Sequence, residues 1–144
     1  MALSVRKISL WRTEVDNRPG MLAQTLSHLA QSGADLRVVM GYRLPGHESR
    51  AALELYPVTT KKAAQAAGAA GLSPSGIPTL LLEGDNRPGL GHAITLALAD
   101  EGINLTFLVT QVIGRRYTSV IGFESEEALR RASSLIRKVV ARKR

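Results

Sequence analysis

The chain has 144 residues, 44% apolar and 22% charged, a balance that fits a folded globular protein throughout and argues against long disorder. It has no cysteine, which excludes disulfides and thiol chemistry and fits a reducing compartment, and no apolar run approaches the roughly 18 residues of a membrane-spanning helix. The net charge of +7 invites a nucleic-acid reading, yet +4 of it sits in residues 124–144, with seven basic side chains against three acidic ones.

Met1 to Arg6 is too short and mixed for a secretory signal, so the cytoplasm is the expected compartment. Lys7 to Val15 reads as a first strand, with Ile8, Leu10, Arg12 and Glu14 on one side. Asp16-Asn17-Arg18-Pro19-Gly20 follows. The proline suits the first turn of a helix, the glycine allows a tight turn, and Met21 to Gln31 places Leu22, Thr25, Leu26 and Leu29 at helical spacing. Gly33 is placed to end that helix. Ala34 to Leu44 and Arg50 to Val58 read as two strands of a hairpin broken at Pro45-Gly46. Thr59 or Thr60 caps a second, alanine-rich helix over Lys61 to Gly71. Leu72 to Pro78, with two prolines and a glycine, is a short edge strand or a plain linker.

The same order then returns. Asp16 to Gly20 recurs as Asp85-Asn86-Arg87-Pro88-Gly89 at an offset of 69, and carrying that offset from Glu14 to Leu36 matches 10 of 23 positions. Chance would give about one or two. The chain is two copies of one unit, divided here as 1–75 and 76–144. The second copy predicts a strand at Thr79 to Gly84, a helix at Leu90 to Glu101, and strands at Ile103 to Ile113 and Arg116 to Phe123. A final helix capped by Ser125 carries an apolar stripe from Ala128 to Val140, and no sequence remains after it for a closing strand. Each unit is strand, helix, strand, strand, helix. The predicted class is α+β, two ferredoxin-like βαββα(β) units with mainly antiparallel sheet and helices on one face.

Two units of about 70 residues, each with D-N-R-P-G-[LM] before its first helix and then G-A-D-L or G-I-N-L entering its second strand, resemble a tandem ACT-domain protein over nearly the whole chain. The resemblance implies a small ligand-sensing module, usually for amino acids, attached to metabolic enzymes or free-standing. Ligand there sits where two such domains meet, against the loop that starts the first helix. The implied ligand-binding residues are Asp16, Asn17, Gly20, Met21 and Asp35 in the first copy. In the second they are Asp85, Asn86, Arg87, Pro88, Gly89, Leu90, Gly91 and Asn104. The chain departs from the family pattern in its absent last strand, its proline-broken linker, Gly91 where the pattern has leucine, and its long basic terminal helix.

The chemistry of the loop agrees with that reading. A helix N-terminus offers unpaired N–H groups and partial positive charge to an α-carboxylate, while Asp16, Asn17, Asp85 and Asn86 offer acceptors to an α-ammonium. Gly91 adds room that its counterpart Leu22 fills, which favours the second loop as the more open site. The plain alternative is a tight strand-to-helix connection whose Asp and Asn make only local turn hydrogen bonds.

No nucleophile motif, phosphate loop or metal spacing appears; His28, His47 and His92 lie far apart, with His92 beside Gly91. No enzyme activity, cofactor or metal is expected. The expected partners are a small molecule, an amino acid by resemblance, and a second copy in a homodimer. The other readings are a protein-interaction module with a vestigial site, docking a partner or another copy through the terminal helix or a sheet edge, and a weaker nucleic-acid-linked regulator, disfavoured by the 4% aromatic content.

Overall fold

The computed structural model describes residues 3–142. Lys143 and Arg144 of the basic end lie outside them. Twelve elements follow in order among the described residues: β1 (Ser4–Ile8), β2 (Trp11–Asp16), α1 (Met21–Gln31), β3 (Val38–Leu44), β4 (His47–Tyr56), α2 (Lys61–Ala69), β5 (Ser73–Pro74), β6 (Thr79–Asp85), α3 (Leu90–Asp100), β7 (Leu105–Ile113), β8 (Arg116–Phe123) and α4 (Glu126–Ala141). The strands form two four-stranded antiparallel sheets, ordered β3-β4-β2-β5 and β1-β6-β8-β7. The fold is α+β with two ferredoxin-like units, as the periodicity and the duplicated motif imply.

The first eight residues depart from the expected division at 75/76. One compact unit is Ser9–Gly76; the other combines residues 1–8 with 77–144. They are called here the inserted and the split unit. The single strand expected over Lys7 to Val15 is two strands, interrupted at Ser9-Leu10 where the chain leaves one sheet and enters the other. The physical reason is an open edge. Within residues 77–142 no strand pairs the outer side of β6, and β1 takes that place, antiparallel to β6 from Ser4↔Glu83 to Ile8↔Thr79. Arg6 pairs with Glu83 at 2.9 Å, Lys7 pairs with Glu126, and Arg137 of α4 donates to the Val5 carbonyl at 2.8 Å. In the inserted unit the proline-rich stretch supplies only β5, two residues against Trp11 and Arg12.

Each unit has its own core. In the split unit Leu80 and Leu82, with Ile121, Phe123 and Val5, meet Leu90, Ile94 and Leu98 of α3 and Leu129, Ala132, Ile136 and Val139 of α4. The apolar stripe of the terminal helix is therefore spent on its own sheet, which removes the motive for docking a partner through it. The inserted unit packs Leu29, Leu53, Leu55, Ala67 and Leu72, with Trp11, Leu26 and Leu36 at the margin. Its second helix contributes alanines where α4 contributes larger side chains, so it buries less apolar area per turn.

Candidate functional site

The two pentapeptides fold alike. Gly20 has φ 91° and ψ −12°, Gly89 has φ 79° and ψ 4°, and the Met21 and Leu90 amides donate back to the Arg18 and Arg87 carbonyls at 3.4 and 3.2 Å. Proline second and a glycine near (+80°, 0°) third make a type II turn. The glycine is the N-cap of the helix, so each proline precedes the helix rather than occupying its first turn. A glycine N-cap leaves a consequence: α1 and α3 have no side-chain cap, whereas Thr60 caps α2 through the Ala63 amide and Ser125 caps α4 through the Ala128 amide, both at 3.0 Å. Among the described residues the first-turn N–H groups of α1 and α3 receive no side-chain cap.

The polar residues before each turn hold the loop to the neighbouring hairpin. Asn17 N–H donates to Ser49 O at 2.9 Å, and Asn86 N–H to Arg115 O at 2.8 Å. Asp16 Oδ1 accepts from Arg50 at 2.7 Å, Asn17 Nδ2 donates to Glu48 O at 2.8 Å, and Asp85 lies 3.9 Å from Arg116. These bonds tie each loop to the hairpin of its own sheet, where the plain reading expects local turn bonds, and the helix N–H groups stand beyond them.

Around the first loop Asp16, Asn17, Arg18, Pro19, Gly20 and Met21 line one cavity of about 490 Å³ together with Leu22, Gly41, Tyr42 and Arg43. Arg87, Pro88 and Gly89 of the second loop line a different kind of space, about 440 Å³ between α3 and α4, walled by Ala93, Leu96, Ala97, Leu135 and Val139. Leu90 is a core side chain, 3% exposed. Gly91 does leave room, but a Cβ there would stand 3.8 Å from the Tyr117 hydroxyl. Tyr117 occupies the register position that Ala51 holds in the inserted unit, and Leu22 covers Gly41 there instead.

Arg87 has a use that sequence reasoning missed. It donates to the carbonyls of Arg142 and Val139 at the end of α4, at 2.9 and 3.0 Å. Arg18, its counterpart, has no such helix end to reach, because α2 has 9 residues against the 16 of α4.

Within the inserted sheet Arg12 bonds Glu14 at 2.6 Å and holds its carboxyl below the usual glutamate value. Tyr42 donates to the buried Glu54 at 2.7 Å; partial burial and then this bond push its hydroxyl above the ordinary tyrosine value.

No family model matches the sequence, and no curated protein sequence matches it. Solved structures do. Protein BT0572 from Bacteroides thetaiotaomicron superposes with a TM-score of 0.73 at 14% identity, over 90% of this chain and 88% of that one. The regulatory subunit of aspartate kinase from Thermus thermophilus, in its ligand-free form, gives 0.58 at 18% identity over 93% and 96%. Aspartokinase alpha and beta subunits give 0.63 at 14% identity over 96% and 97%. The chain shares the two-unit α+β fold of these structures.

The remaining predicted positions of the two units are dispersed. Asp35 lines a separate cavity with Ser32, Thr60 and Lys62, and Asn104 turns its Oδ1 onto the Leu105 amide at 2.9 Å. His92 is exposed on α3. Among the described residues no three His, Cys, Asp or Glu side chains gather as a metal site, and no helix is long and apolar enough to cross a membrane.

Proposed function

We propose that this protein is a non-catalytic regulatory sensor that binds a small molecule, an amino acid, at the strand-to-helix loops of its ACT units. The observation that carries this reading is the uncapped helix start. The two helices that begin at D-N-R-P-G lack a side-chain acceptor on their first-turn amides, while the other two helices of the same chain have one. A carboxylate is the complement of that vacancy. The likeness to regulatory subunits of aspartate kinase supports regulation as the role. Thermal-shift measurement against the twenty amino acids tests it: a true ligand at about 100 times its Kd adds ~2.7 kcal/mol of stability. No shift with any of them sinks the reading.

A second copy is the partner best supported. Strand β7 ends its sheet, carries no charged residue over nine positions, and leaves Leu108, Val109, Val112 and Ile113 between 43% and 64% exposed. Edge strands that must stay single carry charges or prolines. Mass measurement in solution of the protein and of Val109→Lys tests the homodimer; a wild-type monomer at high micromolar concentration would refute it.

A further inference from the structure

The two loops share a backbone and differ in their cations. In the inserted unit Arg18 and Arg43 both line the cavity beside the first loop, and neither has a side-chain hydrogen bond or ion pair among the described residues. The carboxylate in the same wall, Asp16, is already matched by Arg50 at 2.7 Å. The wall of this cavity therefore includes two exposed arginines with no partner among the described residues. In the split unit neither is available. Arg87 is committed to the last carbonyls of α4, and the position equivalent to Arg43 at the same offset is Val112, which faces Tyr117 across the ladder as Arg43 faces Ala51.

Two arginines around one small cavity set the chemistry of its occupant. A zwitterion with a neutral side chain brings one carboxylate, which one guanidinium and the helix amides satisfy, and it leaves the second guanidinium without an anionic partner. A molecule with a second carboxylate matches both. Asn17 keeps its side-chain oxygen as an acceptor, since its Nδ2 is the atom bound to Glu48 O, and this oxygen suits an ammonium.

We infer that the two copies have diverged: the first loop is the ligand site and takes an acidic amino acid, and the second loop has become a clamp on α4. This rests on the sensor reading above and names its ligand class.

Titration calorimetry on the full chain at fixed low salt tests it, with L-aspartate, L-glutamate, L-asparagine, L-glutamine and succinate as probes. The acidic amino acids bind about tenfold or more tightly than their amides. Arg43→Gln brings the acid and amide Kd values together, Arg18→Gln weakens all amino acids, and Arg87→Gln leaves the Kd unchanged. Both cavity arginines lack partners, so unchanged circular dichroism is expected of their variants. Amides that bind as well as acids, or succinate that matches aspartate, overturns the ligand class. Binding lost in Arg87→Gln but kept in Arg43→Gln overturns the choice of loop. In each of those cases an amino-acid sensor survives, whereas no binding by any of the twenty amino acids removes both readings.

Discussion

Arg87 Nη2 donates to the carbonyl oxygen of Val139 at 3.0 Å, joining the loop before α3 to the last turn of α4. A cation at a helix C-terminus meets both unpaired carbonyls and the negative end of the helix dipole. The contact is part-buried, so its net worth is moderate. Arg87→Met is expected to cost about 1 kcal/mol in urea unfolding. Amides near Val139 and Val140 should lose hydrogen-exchange protection while those of Leu129 and Ala132 keep it. Equal protection at both ends of α4 would show that the clamp contributes nothing.

That contact marks the limit of what the sequence shows. The turn was legible because Pro-Gly dictates it locally, and α1, α3 and α4 were legible because their apolar residues recur at helical spacing. Arg87 and Arg18 look identical in the sequence. What separates them is an arginine's reach to a helix end 52 and 55 residues away, and the only trace of it is that α4 outlasts α2. Ser4–Ile8 was illegible for a related reason. Strand pairing has no local signature, so a strand whose partners lie 71 (Ile8↔Thr79) to 79 (Ser4↔Glu83) residues away is recognised only by asking which sheet edge lacks one. Gly91 reads as room in the sequence, but the side chain placed beside it, Tyr117, comes from a distant strand.

Phe107 lies on Gly122 across the β7–β8 ladder. A Cβ built on that glycine would stand 2.3 Å from the ring, closer than atoms tolerate, so Gly122→Ala must push the phenylalanine aside. Overpacking of this kind costs about 1–3 kcal/mol. In a Phe107→Ala background most of that cost should vanish, and a double-mutant cycle on denaturation midpoints reads the difference. Additive effects would place the strain elsewhere.

Deleting residues 1–8 uncovers the edge of β6 and removes Val5, which is 4% exposed in the core of the split unit. An uncovered edge next to Leu80 and Leu82 is an invitation to pair with another chain. The truncated protein is expected to aggregate or to self-associate more than the full chain in sedimentation. The milder Val5→Ala keeps the backbone ladder and should cost about 1–2 kcal/mol. Unchanged stability in both variants would contradict the role given to β1.

Glu14 gives a pH dependence with a definite sign. Arg12 holds its folded-state carboxyl below the unfolded value, so the contribution is present above the unfolded value and is lost as pH falls through the folded one. The pair is half-exposed, so the effect is small. Stability of Glu14→Gln should fall less steeply than wild type between about pH 5 and 3, and parallel curves over that window would exclude the linkage.

Tyr42 supplies a hydrogen bond to a carboxylate that is 1% exposed, and the other oxygen of Glu54 has no partner among the described residues. Tyr42→Phe removes that donor and leaves the buried group worse satisfied, a change expected to cost about 1–3 kcal/mol. Glu54→Met removes the need for the donor, because a buried polar group is expensive only while it remains. In that background Tyr42→Phe should be close to neutral. Urea denaturation of the four proteins measures the coupling directly, and a Tyr42→Phe cost that persists without Glu54 would assign the tyrosine's contribution to packing instead.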